Sequence, residues 1–311
     1  MRQQAEPITV EMLTRVGRNA ENMEAIVRPS LTYYQDAWRR LRGNKVAMAG
    51  LVLVCLYVVL SLIGPVMAKW DYRTNSMDMD LPPSRAHWFG TDTLGRDMWA
   101  RVWVGARVSL SIGFISAIIN SVVGVVIGGV SGYFGGAIDM IIMRLIDVLY
   151  GIPYMIIAIL AMLVLGPGIT SLIVAMVLVG WIGTARMVRG QILQLKEQEF
   201  VLAAEVLGAG HMRIIFRHLM PSVSGLLITN LTMAVPRAIF SEAFLSFIGL
   251  GVQPPYPSWG QLARYGAECF RIYPWELFIP AFFISTTMLS LNLLGDSLRD
   301  ALDPTLRGTI E

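Results

Sequence analysis

Charge is what this sequence has least of for its size. Asp, Glu, Lys and Arg supply 15% of 311 residues while 55% are hydrophobic, so polar side chains cannot cover a water-soluble domain and the chain needs another solvent. Cysteine is almost absent. Cys55 sits inside an apolar run and Cys269 lies far from it, which excludes a disulfide framework and a thiolate metal site. Histidine is nearly as rare, and His87, His211 and His218 fall outside the apolar runs, against what an intramembrane metalloprotease requires. A net charge of +3 is too mild for a nucleic-acid-binding surface, so no nucleic acid partner is expected. The first 45 residues hold no apolar segment of signal-peptide type, so the first membrane span is expected to direct insertion and to remain in the mature protein.

A nucleotide pocket is also missing. Gly90-Thr-Asp-Thr-Leu-Gly95-Arg96-Asp97 has the glycine spacing of a phosphate-binding loop, but Arg96 and Asp97 stand where the phosphate-binding Lys and the magnesium-binding Ser or Thr belong. No other stretch offers the pattern, so the chain is expected to be no enzyme, with no catalytic residues, no bound metal and no cofactor of its own.

What the sequence does have is long uncharged runs. A helix crossing about 30 Å of hydrocarbon takes roughly 20 apolar residues, because backbone groups cannot stay unpaired in lipid. Val46 to Ala68 fits one crossing, bracketed by Lys45 and Lys69, and a second run extends from Val108 to Ile138. Val148 to Ala185 is too long for one crossing, and Gly166-Pro167-Gly168 breaks it into two. Leu219 to about Gly251, apolar apart from Arg237 and Glu242, and Leu277 to Gly295 complete an expected six transmembrane helices in an all-α integral membrane protein.

Arg39, Arg40, Arg42 and Lys45 before the first span place the N-terminus in the cytoplasm, and six crossings return the C-terminus to that side. The expected organisation is a cytoplasmic leader (1–45), a first span (46–68), an external loop (69–107), a five-helix core (108–299) with a cytoplasmic loop 186–221 and an external loop 251–276, and a tail (300–311). One loop resists the charge rule: residues 69–107 carry Lys69, Arg73, Arg85, Arg96, Arg101 and Arg107, nearly balanced by aspartates.

Four groups of residues stand out. Gly124, Gly128 and Gly132 recur at intervals of four, a groove that admits another helix, either of this chain or of a partner subunit. Arg237 and Glu242 are ionisable groups inside a span, a setting that marks a pore, a gate or a local pair. Arg144 and Asp147, three residues apart, read as a local ion pair. The aromatic and proline-rich loop 251–276, with Tyr256, Trp259, Tyr273 and Trp275, reads either as interface anchoring or as a docking surface.

The most informative stretch runs from Glu199 through Ala203, Ala204, Gly208, Gly210 and Arg213 to Pro221: a short helix, a turn and a basic helix, which as chemistry alone would also suit a membrane surface. It resembles the coupling loop of ABC-importer permeases, with Ala203, Ala204, Gly208 and Pro221 at matching positions and Leu202 where that pattern has glutamate, leaving Glu199 as the nearby acid. Three further blocks are similar to the peptide and nickel branch of that family, and within it to the C-type permease subunits of oligopeptide and dipeptide systems. These blocks are Gly90 to Asp97 with Gly105 to Leu110, Glu242 to Gly251, and Gly295 to Pro304.

The resemblance implies the type I importer permease fold with a cytoplasmic coupling helix. It implies a lipid-embedded subunit that works with a second permease subunit, two ATP-binding subunits that hold ATP and magnesium, and an extracytoplasmic substrate-binding protein. Glu199, Ala203, Ala204, Gly208, Arg213 and Pro221 would meet the ATPase. Oligopeptides are the first expectation for cargo, then dipeptides or nickel chelates. An ATP-independent carrier or channel is the competing class, but neither internal repeats nor midplane ion sites are evident.

Overall fold

The computed structural model describes residues 33–302, all of whose regular structure is helical. Positions 1–32 of the leader and 303–311 of the tail lie outside the described residues. The helix α1 (Tyr33–Gly43) precedes the first span and rests Ala37 and Leu41 against Ala301 and Leu302 near the chain's end. Asn44 then starts α2 (Lys45–Met67), its Oδ1 accepting from the amides of Val46 and Ala47.

The second span begins ten residues earlier than its uncharged run: α3 covers Met98–Phe134, with Asp97 as its N-cap. The arginines that appeared to exclude residues 98–107 from a span are satisfied where they stand. Arg101 pairs with Asp92, and Arg107 donates to the carbonyls of Ser61 and Leu62 at the end of α2. At 37 residues, α3 is about 55 Å long and extends well past a hydrocarbon core of about 30 Å.

The next crossing also differs from expectation. Instead of one straight helix from Val148 to Leu165, the chain forms α4 (Gly136–Tyr150) and α5 (Tyr154–Leu165), bent by 85° at Gly151 to Pro153. Proline forbids the helical hydrogen bond there and biases the residue before it away from helix. Alone, α5 reaches only about 18 Å, so among the described residues five helices are long enough to cross and the bent pair makes a sixth if it acts as one span. The Gly166-Pro167-Gly168 turn leads to α6 (Ile169–Gly180) and α7 (Ile182–Leu195), which together form one span. Asp147 pairs not with Arg144 but with Arg186 of α7, at 2.5 Å, and Arg189 of α7 pairs with Asp139. Helix α4 is therefore held to α7 rather than by its own i,i+3 pair.

After a short helix α8 (Glu199–Val206) and a turn come α9 (His211–Ile214), a π-helical turn (Ile215–Leu219) and α10 (Met220–Phe247). The basic helix does not stop at Pro221. That residue sits in the first turn of α10, and the backbone widens into the π turn just before it, so one helical rod runs from His211 to Phe247. Then follow α11 (Trp259–Cys269) and α12 (Pro274–Leu302).

Two kinds of packing hold the bundle. Between α3 and α7, Gly124, Gly128 and Gly132 leave no room for a Cβ: one on Gly128 would fall on the backbone of Ala185, and one on Gly124 on Thr184. Close backbone approach of this sort substitutes for the hydrophobic drive that lipid cannot supply. At the other end, Tyr57 of α2, Trp103 of α3, Trp259 of α11 and Phe283 of α12 form one aromatic cluster, with Phe283 at 5.0 to 6.0 Å from the other three ring centroids. Trp259 is fully buried and donates Nε1–H to the Val102 carbonyl. It is a core residue, not a membrane-interface anchor.

Candidate functional site

The glycine-rich segment Gly90 to Asp97 folds around a carboxylate of its own. Asp92 Oδ1 accepts from the amides of Leu94 and Arg96 at 3.0 Å each, and Oδ2 meets Arg96 and Arg101. The loop's inward amides and nearby guanidinium groups thus already hold an anion, and a phosphate would have to displace it. Beside it His87 Nδ1 lies 2.9 Å from Asp97, whose other oxygen caps α3. Of the six cations in residues 69–107, Arg96 and Arg101 are thus paired with Asp92 inside this folded unit.

At the opposite end of α3 the chain builds an elbow. Helix α8 buries Val201 and Ala204 and turns Glu199, Leu202, Ala203 and Val206 outward. Val201 joins Val188 and Ile192 of α7, Ile214 and Leu219 in one core, so the elbow is bolted to both helices that it connects. Tyr133 at the end of α3 adds a hydrogen bond to His211 Nδ1 at 2.7 Å. Gly208 ends the short helix at φ +83°, a left-handed conformation that a side chain resists, and the amide of Ala209 closes the turn on the Ala204 carbonyl. At the tip Val206 and Leu207 are 88% and 87% exposed, with Met212 and Phe216 exposed nearby. Arg213 is exposed too, and Pro221 lies one helical stretch away, lining a cleft instead of the tip.

Two clefts run along α10. One of about 780 Å³ lies among α3, α4, α5, α6, α7, α10 and α12, and includes Asn120, Thr184, Asn230, Arg237 and Asn292. A second of about 880 Å³, nearer the elbow, includes Gln191, Pro221, Asn230, Arg237 and Arg299. Arg237 and Asn230 belong to both. Glu242 belongs to neither: it is fully buried, accepts from Ser246 Oγ at 2.8 Å, and faces the hydroxyls of Ser109 and Ser258. The structure therefore separates the two ionisable residues that share this span. The clefts themselves escaped sequence reasoning, since their linings are drawn from seven helices and only Arg237 carried a signal.

Comparison with known proteins follows this geometry. Residues 124–308 match the family model of the binding-protein-dependent transport system inner membrane component, and residues 32–83 match the N-terminal TM domain of oligopeptide transport permease C. The chain is 51% identical to the dipeptide transport system permease protein DppC of Bacillus subtilis (strain 168), over 91% of this chain and 89% of that protein. It is 47% identical to the oligopeptide transport system permease protein OppC of the same organism, over 96% and 99%. Among solved structures, an inward-facing form of the MetNI methionine ABC transporter aligns with a TM-score of 0.54 at 18% identity, covering 66% of this chain and 98% of that one. That likeness concerns the fold.

Proposed function

The chain belongs to the family of binding-protein-dependent transport system inner membrane components, and from that membership we propose that it is the C-type permease subunit of an ATP-driven importer for oligopeptides, with dipeptides the nearest alternative cargo. It has the type I importer permease fold and crosses the membrane several times. In the proposed assembly it meets a second permease subunit, two ATP-binding subunits that hydrolyse ATP with magnesium, and an extracytoplasmic substrate-binding protein. Both termini and the elbow face the cytoplasm, and the Asp92 unit with α11 faces outward.

One observation carries the reading: an apolar tip, Val206 and Leu207, stands almost fully in the open on a helix whose inner face is packed rigidly into two spans. An exposed apolar knob beyond the membrane calls for a partner's cleft. Glu199, Ala203 and Arg213 surround it as the rim, Ala204 is the close-packed floor, Gly208 makes the turn, and Pro221 marks where the motion enters α10. Closure of the ATPase pair shifts α8, and because α8 is fixed to α7 and α10, both walls of the clefts move with it. The permease thereby changes between inward- and outward-facing populations, driven by nucleotide affinities that differ between them. Gly124, Gly128 and Gly132 keep α3 and α7 together during that motion. Glu242, tied to serines on α3, α10 and the segment before α11, anchors the outer end as a gate support rather than a pore lining.

Substitution Gly208→Leu tests the coupling role. No atom of the described residues lies within 4 Å of a Cβ there, so the strain of a side chain at φ +83° falls on the turn alone, and the chain should still insert and assemble. Uptake and transport-linked ATPase activity are expected to part company, measured in proteoliposomes with the whole complex. Unchanged uptake together with unchanged stimulated hydrolysis would refute the assignment.

A further inference from the structure

Arg237 is a charge in the middle of a span, and such a group is costly unless a neighbour or a water-filled space receives it. Its Nε donates to the Met233 carbonyl one turn back, at 3.1 Å, which fixes the side chain along α10. The terminal guanidinium nitrogens have no protein partner among the described residues, and the side chain is exposed where the two clefts meet. No carboxylate of the described residues lines either cleft. The charged groups there are Arg237 and, at the elbow side, Arg299. The remaining polar lining consists of neutral amides and hydroxyls. Asn120, Thr184, Asn230 and Asn292 line the first cleft as well, so neutral hydrogen-bonding side chains accompany the fixed cation there.

This electrostatic pattern selects the cargo chemistry. Clefts that hold arginines and no acid among the described residues repel a bare metal cation and attract an anion. A guanidinium anchored through Nε keeps its two terminal NH2 groups free, and these fit a carboxylate in a forked, two-bond geometry. The one carboxylate that every unmodified linear peptide carries, whatever its side chains, is its C-terminus. We propose that Arg237 is a substrate-binding residue of the passage, receiving the C-terminal carboxylate of the transported peptide. The inference rests on the peptide-importer reading above, and it adds the group that the permease itself recognises.

The experiment compares a peptide with its C-terminal amide in proteoliposomes holding the full complex, each peptide at a concentration that saturates the substrate-binding protein. The rate of ATP-driven uptake is read as the acid-to-amide ratio within each variant, so loss of assembled complex cancels. Wild type is expected to move the acid about tenfold faster, in keeping with a charge-assisted hydrogen bond, and Arg237→Gln to bring the ratio near one by slowing the acid alone. Arg237→Lys, which keeps the charge but not the fork, should fall between. An acid-to-amide ratio that is the same in wild type and Arg237→Gln would overturn the proposal. So would equal slowing of both peptides, which would mark Arg237 as the partner of an acid on the second permease subunit. Failure of the importer reading looks different: the wild-type complex would move neither peptide.

Discussion

The two ends of this molecule treat glycine in opposite ways. Near the Asp92 unit and α11, glycines are squeezed: a Cβ on Gly260 would strike the backbone of Ala243, one on Gly266 that of Glu276, and one on Gly95 that of Ser76. At the elbow, Gly208 and Gly210 have nothing within 4 Å of that position. The glycines of the first end serve close packing, whereas the two at the tip of the elbow serve chain direction, even though Gly132 nearby on α3 is packed against α7. The difference separates an end closed by its own packing from the end that, under the proposed coupling role, meets another molecule. The same contrast repeats in the aromatic and aliphatic side chains, with Trp259 enclosed at one end and Leu207 in the open at the other.

The sharpest way to break this comparison is to truncate one side chain from each end. Trp259→Ala removes a fully buried indole, its bond to Val102 and its contact with Phe283. It should cost about 3–5 kcal/mol, visible as a lowered Tm of the purified complex. Leu207→Ala should leave stability within about 0.5 kcal/mol, as for a surface site, while abolishing transport-coupled ATP hydrolysis. If Leu207→Ala destabilised the fold as Trp259→Ala does, the elbow would be core and the division between ends would disappear.

A smaller effect concerns solvent access. Burial, and then the charge of Glu276, push the Cys269 thiol up to about 11. At pH 8 its thiolate fraction is then about two orders of magnitude below that of a free cysteine, and greater intrinsic nucleophilicity offsets only part of this. Alkylation by a water-soluble iodoacetamide, in a Cys55→Ser background, should be on the order of tenfold slower than at a thiol placed by Leu207→Cys. Because the Cys269 pKa is raised, its rate should keep climbing up to pH 10, where the elbow thiol levels off. Equal rates and equal pH profiles would show that α11 is as open as the elbow.

What the sequence disclosed depended on whether one signal sufficed. Straight spans such as α2 and α12 were legible because an uncharged run of the right length is their whole cause. Helix α3 was misjudged at its start since Arg101 and Arg107 look like loop residues until Asp92 and the Ser61 carbonyl, far away in sequence, are placed beside them. The bent pair α4 and α5 hid for the same reason: Asp139 and Asp147 are tolerated only through Arg189 and Arg186 of a later helix. Helices α1 and α11 are short and two-sided, so hydropathy over a span-length window passes over them. At the elbow, Gly208 announced the turn by its residue type, but the exposure of Val206 and Leu207 did not show, because apolar residues in sequence carry no direction. Trp259 gave the converse error.

The smallest expected effect lies in the ties of the elbow end. Arg186 and Asp147 pair across α7 and α4 with side chains 36% and 57% exposed, in contrast to Arg101 and Asp92, which are buried. Water and salt screen the exposed pair, so Asp147→Asn should change stability by no more than about 1 kcal/mol, and the change should vanish in high salt. A thermal unfolding series of the complex at low and high ionic strength reads this directly. A large, salt-independent loss would mean that α4 is clamped as tightly as the Asp92 unit. The bent pair would then move as one body with α7, and the lever that runs from the elbow to the first cleft would have to include it.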